Sequence, residues 1–437
     1  MIPRQGATNQ AEVRRHNLST ILSFVHEAGS ASRSKLTAIT GLNRSTVGDL
    51  VAELAELGLV DVLDPSPDDL DPSPRTKRGR PSPIVAPSEN VVVLALEIDV
   101  DSIAASTISL GGRMVEISRV GRVRDRVSPE ETVNDLMEIA NPVLDALKPD
   151  RRVMGIGVAV VGIVNRETGE VRLAPNLGWQ NVPLGDMLAA RFTNQVPMVV
   201  GNEADLGAVA EHIRGAGRGV DDLIFISGEV GVGGGVIVNG RLLTGSHGYA
   251  GEIGHIPIKQ EGLVCRCGSV GCWETEVGAE ALLRHMGMLP GVRIADQVSE
   301  ILRAAADGNP EAIQAVRAVG HWLGVGLACL INIFNPSRIV LGGLLGRIYP
   351  YSADVAVREI ENLGLDMAVH RVDILPSTLG IDAPLIGAAE WALRPVLHDP
   401  GIVDNNGIAG TQVSRVSPIP TASSTLVADR VDELPSR

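Results

Sequence analysis

The feature that most constrains the fold is one order of elements that occurs twice along the chain. Apolar runs at 91–98 ("VVVLALEI") and 103–110 read as paired strands, "PEETVNDLMEIANPVLDAL" reads as a helix, and "RRVMGIGVAVVGIVN" (151–165) supplies a third buried run. From residue 223 the order begins again with "LIFISGEVGVGGGVIVNGRLL", then helices, then "SRIVLGGLLG" (337–346). Two halves that each open on a β-hairpin predict a duplicated α/β body. The ligand of such a body belongs in the cleft between its halves. A chain of 437 residues also exceeds one ordinary core, so two or three domains are expected.

In front of the body stands a different pattern. Leu18, Ile21, Leu22 and Val25 recur at helical spacing, and a second short helix follows Ser34 with Leu36 and Ile39 facing inward. Gly41 breaks the chain, Asn43 can cap the next helix, and Val47, Leu50, Val51 and Leu54 form its apolar stripe. Three helices with a glycine turn before the third is the helix-turn-helix order. The runs "LVDVL" and "PIVAP" flank a Pro/Asp/Arg-rich tip and predict a β-hairpin wing.

Charge distribution agrees with a nucleic-acid-reading head. The net charge of −14 excludes a protein that coats nucleic acid over its whole surface. Residues 1–88, however, hold ten Lys/Arg and ten Asp/Glu, with the bases concentrated in "RTKRGR" (75–80). The first residues of a recognition helix face base edges; here they are Asn43, Arg44, Ser45 and Thr46. Arg44 suits a guanine edge, and Ser45 and Thr46 suit phosphates or bases. Arg78 and Arg80 of the tip either enter a minor groove or belong to a solvated basic linker.

The segment "AGEIGHIPIKQEGLVCRCGSVGCWETE" (250–276) concentrates metal-binding side chains as no other stretch does. His255, Cys265, Cys267 and Cys272 supply one imidazole and three thiolates, a set that Zn²⁺ favours, and four protein ligands make the ion structural. Clustered cysteines in a chain with only four argue against a secreted disulfide scaffold. With no signal-peptide pattern at the start and apolar stretches shorter than a membrane span, a cytoplasmic protein without a membrane partner is expected.

"GEIGH" followed by "CRCGSVGCWE" resembles the signature region of the ROK family (repressor, open reading frame, kinase). The resemblance extends through "GNEADLGAVAE" (201–211), "APNLGW" (174–179) and "NPSRIVLGG" (335–343), and covers residues 90 to 395. It implies a duplicated actin-like, ribonuclease-H-like body, here with an N-terminal winged helix-turn-helix as in the family's repressor branch. The expected divisions are a DNA-binding domain at 9–88, lobes at 89–205 and 206–397 with the last helix able to return to the first lobe, and a disordered tail at 398–437. The resemblance further implies that Glu252, His255 and Glu274 line a sugar pocket opposite Asn202 and Glu203. Asn176 either joins them or caps a turn. Ionised carboxylates are strong acceptors for a ring of sugar hydroxyls, and a metal-held loop would aim two of them at one point.

The chain departs from the family's kinases at three places. Glu203 stands where they carry an aspartate base, "EIDVDSIAAS" lacks the glycines of their first phosphate loop, and Val230 replaces a threonine in the second. The expectation is therefore a regulator with no catalytic residues: a homodimer or dimer of dimers that binds operator DNA and a sugar-type effector. An active sugar kinase with a regulatory head is the alternative.

Overall fold

The computed structural model describes residues 10–64, 82–122, 128–192, 196–228, 231–291 and 294–405. Arg78, Arg80 and Val230 lie outside these residues.

The head comprises α1 (Gln10–Ala28), β1 (Ala31–Ser32), α2 (Arg33–Thr40), α3 (Arg44–Glu56), β2 (Val60–Leu63) and β3 (Ile84–Pro87). Ser32 accepts a bond from the Lys35 amide to start α2, and Gly41, at φ 68°, ends it. Asn43 caps α3. The strands form one small antiparallel sheet in the order β1-β3-β2. Leu18, Ile21, Leu22, Val25, Leu36, Val47, Leu50, Val51 and Leu54 are buried as their spacing predicts. Ile39 is not: at 44% exposure it lies on the outer side of α2, because eight residues make two turns and only Leu36 reaches the core.

The first lobe is built from β4 (Val91–Ile98), β5 (Ser102–Ser109), β6 (Met114–Gly121), α4 (Pro129–Asp145), β7 (Arg152–Val160), β8 (Ile163–Asn165), β9 (Glu170–Ala174), β10 (Trp179–Val182), α5 (Leu184–Ala189) and β11 (Met198–Asn202). Its sheet runs β11-β7-β4-β5-β6, with β4-β5-β6 antiparallel and the other pairs parallel. α6 (Glu203–Arg214) then leads into β12 (Leu223–Gly228), β13 (Val232–Val238) and β14 (Arg241–Leu242), and four helices follow: α7 (Glu274–Val277), α8 (Ala279–His285), α9 (Ile294–Ala306) and α10 (Pro310–Phe334). β15 (Arg338–Gly342), α11 (Gly343–Leu363), α12 (Asp366–Val369), β16 (Asp373–Pro376), α13 (Ala383–His398) and α14 (Ile402–Asn405) complete the chain.

The second sheet runs β14-β13-β12-β15-β16, again three antiparallel strands beside two parallel ones. The two sheets thus have the same order and the same polarity, which is the duplication expected from the sequence. α10 is long and apolar enough to span a membrane by composition, but it packs against α11 and α9 and lines the second lobe's core.

α6 and α13 are the equivalent helices after the last strand of each sheet, and they exchange places. α6 leaves the first sheet and packs on β12 and β13, whereas α13 leaves the second sheet and packs on β7 and β4. The expected lobe break at 205/206 therefore falls inside a helix. α13 also continues through His398 and α14 to 405, so the start of the expected tail is helical.

α6 and α13 touch backbone to backbone. A Cβ added at Gly387 would stand 1.8 Å from the Leu206 carbonyl oxygen; α13 meets the first sheet as closely, since one at Gly157 of β7 would stand 2.0 Å from the Ala388 carbonyl oxygen. Gly387→Ala should therefore force the helices apart and lower the unfolding free energy by about 2–3 kcal/mol. The effect is expected as a lower urea midpoint at unchanged m-value.

Candidate functional site

A cavity of about 300 Å³ opens between the lobes, and Asn176, Asn202, Glu203, Glu252, His255 and Glu274 all line it. Each is set in place by ordinary backbone chemistry. Asn202 ends β11 and caps α6, its side-chain oxygen accepting from the Ala204 and Asp205 amides at 2.8 and 3.1 Å. Its amide nitrogen donates to the Gly162 carbonyl at 3.0 Å and to Glu203 Oε2 at 3.1 Å.

Glu252 and His255 flank a single 3₁₀ turn, Ile253–His255. That turn lies flat on β13 because glycines meet its backbone there: a Cβ on Gly254 would stand 2.0 Å from the Val232 carbonyl oxygen, and one on Gly251 2.7 Å from that of Gly234. The glycine run after Val230 has the same explanation. A Cβ on Gly235 would stand 2.5 Å from the Ala204 carbonyl oxygen, and one on Gly233 would stand 2.9 Å from the Ala204 methyl. These glycines admit α6 and the 3₁₀ turn against β13.

The four expected metal ligands converge. Their ligand atoms all lie within 4.8 Å of one another, with Cys265 Sγ 3.7 Å from His255 Nδ1 and Cys267 Sγ 3.7 Å from Cys272 Sγ. A tetrahedral ion with bonds of ~2.3 Å to sulfur needs edges of ~3.7 Å, so the donor set fits a metal of the zinc type. His255 Nδ1 faces the cysteines, while Nε2 faces Glu252 Oε2 at 3.9 Å. Glu274 sits closer to the ligands than expected for a residue that only meets a sugar. Its Oε1 accepts from Cys265 Sγ at 2.8 Å, and its Oε2 faces the Val232 amide at 3.4 Å. Behind the loop, Trp273 is fully buried; its indole donates to the Trp322 carbonyl at 2.8 Å and packs on Gly326.

Asn176 bridges the lobes. Its side-chain oxygen accepts from Arg266 Nη1 at 2.6 Å, and Arg266 also grips Glu280 at 2.6 Å. Arg266 was not anticipated, although its place between two cysteine ligands was a usable signal. In the head, Asn43, Arg44 and Ser45 are exposed and Thr46 half-buried at the start of α3. Asn43 Oδ1 is engaged by the Thr46 amide at 2.9 Å and the Ser45 hydroxyl at 2.6 Å, which leaves its amide nitrogen for any base contact.

Residues 93–394 match the ROK family. The chain belongs to that family. A xylose repressor of Caldicellulosiruptor bescii is 30% identical over 348 residues, which cover 76% of this chain and 84% of the relative. The xylose repressor of Bacillus subtilis is 27% identical over 87% of this chain and 95% of its own. A Streptomyces coelicolor glucokinase is 30% identical, but over 70% of this chain and 98% of its own length. Among solved structures, a ROK family transcriptional regulator homologous to the E. coli MLC protein shares the fold at TM-score 0.70 and 24% identity, across 90% of this chain and 98% of its own.

In this ROK chain the half of the cavity beyond Glu203 is acidic. Glu97, Asp99, Asp101 and Arg119 line it together with the Gly380–Ile381 turn. Asp99 and Asp101 occupy the β4–β5 turn, where Asp99 Oδ1 accepts from the Val100 amide at 2.7 Å. Arg119 is held between Glu97 and Asp382, at 3.0 Å from each. Burial raises Glu203 well above the usual carboxylate range, with Asp99 and Glu252 adding to the shift. Burial raises Glu252 too, against the pull of His255.

Glu97, a lone acid in an apolar strand, is pushed to about 7 by burial despite Arg119. Because its folded pKa is raised, its contribution is fully present below the unfolded value of 4.5 and is lost as pH rises through about 7. Stability from urea unfolding should therefore fall between pH 5 and 8, and Glu97→Gln should flatten that slope.

Proposed function

We propose that this chain is a sugar-responsive transcriptional repressor whose body binds a carbohydrate and no longer transfers phosphate. The observation that carries the proposal is the chemistry of the cleft: carboxylates at Glu252, Glu274 and Glu203 on one side, and acids without a phosphate-binding glycine turn on the other. Carboxylates and amides suit a polyol. A polyphosphate beside Asp99 and Asp101 meets like charge in a partly desolvated cleft. The Bacillus subtilis xylose repressor matches over 87% of this chain and the Caldicellulosiruptor bescii one over 76%, while the glucokinase match covers 70% of it. The expected homodimer would set two α3 helices in successive major grooves of a pseudo-palindromic operator, with Asn43, Arg44, Ser45 and Thr46 at the bases and backbone.

Zinc held by His255, Cys265, Cys267 and Cys272 would act structurally: it leaves no open coordination position and fixes the loop between Glu252 and Glu274. Its binding is coupled to folding of that loop. Purified protein should contain one zinc per chain by mass spectrometry. Cys272→Ser should abolish it and weaken sugar binding at least about tenfold.

Sugar that prefers one lobe arrangement shifts the heads only in proportion to its differential affinity. Titrating pentoses and hexoses, xylose and glucose first, into a protein–operator complex should weaken DNA binding at least about tenfold for one of them. Glu252→Ala should abolish that response. Turnover of ATP with Mg²⁺ and a hexose would instead establish the kinase alternative.

A further inference from the structure

The cleft and the head are joined by two helices that start at the one and end at the other. α6 begins at the pocket residues Asn202 and Glu203, and Pro384, in the first turn of α13, also lines the cavity. The twelve residues of α6 span about 18 Å. Ala204 to Glu211 are all buried, so α6 cannot bend independently of its surroundings. α13 lies in backbone contact with it at Gly387.

Both helices end their cleft-to-head path on one side chain of α1, His26, which is 1% exposed. The Gly111 amide donates to His26 Nδ1 at 2.9 Å, and Nε2 lies 2.7 Å from Glu390 Oε2 of α13 and 2.6 Å from Arg214 Nη2. Arg214, the last residue of α6, donates to Glu390 Oε1 and to the His26 carbonyl, each at 2.7 Å. A Cβ on Gly112 would stand 2.6 Å from Arg214 Nε, so the guanidinium sits in space that only a glycine there leaves open. The clamp thus joins both lobes' cross-over helices to the helix on which the DNA-reading bundle is built. A buried network with this many charged and polar contacts has few alternative geometries, so a displacement of either helix must move α1 or break the network.

We propose that His26, Arg214 and Glu390 are positioning residues through which α6 and α13 transmit pocket occupancy to the head. This rests on the repressor reading above. An effector that bonds Asn202 must compete with its bonds to Gly162 and Glu203, and so acts directly on the N-terminal cap of α6.

A double-mutant cycle in the full-length protein tests the proposal without needing the effector. Asn202→Ala disturbs the pocket end and Glu390→Gln the head end, and the residues share no contact. Hydrogen exchange of α1 amides is the first readout; affinity for a duplex selected from random sequence on the wild-type protein is the second. Asn202→Ala alone should change exchange of residues 18–28 about tenfold, and should add nothing in the Glu390→Gln background. Additive effects, or a change confined to the first turn of α6, would overturn it. Glu203→Ala, which spares the cap oxygen of Asn202, gives the same cycle if Asn202→Ala does not fold. Calorimetry with xylose and glucose should give the same affinity for Glu390→Gln as for wild type. Weaker binding would mean that Glu390 acts on the pocket itself and would count against a positioning role. If neither sugar binds the wild type, the function reading fails while the exchange result stands.

Discussion

The close packing of α6 on α13 is the contact on which the rest of the molecule depends. Each helix belongs by sequence to one lobe and by packing to the other, so the cleft cannot change shape without altering their interface. Gly387 allows backbone contact there and Gly157 of β7 allows it between α13 and the first sheet, and such contacts have no soft side chain to absorb a displacement. Shape change in this body is therefore confined to rigid movements of packed elements, which is what a binding protein needs if it is to pass information over distance.

The cleft combines two kinds of wall. On one side a loop carries Glu252 and His255 flat against β13, with Glu274 returning from its far end. On the other stand the acids Glu97, Asp99 and Asp101. The cost of burying these acids appears as raised pKa values at Glu97, Glu203 and Glu252. A polar ligand that donates hydrogen bonds relieves that cost, and an anion increases it.

Much of this was legible in the sequence, for identifiable reasons. The duplicated strand order, the three head helices and the cysteine cluster are local patterns, written in residues a few positions apart. Ile39 was misplaced because an apolar residue on a two-turn helix carries too little periodic signal. Only the return of the last helix was raised as a possibility and the crossing of α6 was not, since partner choice among helices is settled by shape. Glu97, Arg119 and Asp382 come from three separate elements and meet only in the fold. The same holds for His26 and Glu390, which lie 364 positions apart. Nothing in a buried histidine's neighbourhood along the chain announces such a contact. The glycines after Val230 carried a visible signal whose cause was different: they make room for a helix and a turn.

Trp273 gives the proposed metal loop a second anchor. It lies between the proposed ligand Cys272 and the cavity residue Glu274, and its indole is wedged against α10 independently of any ion. The two ends of the loop consequently differ in what secures them. Demetallation would unfasten the stretch from His255 to Cys272 while Glu274 stayed moored to the second lobe, so the binding surface would come apart from one edge only.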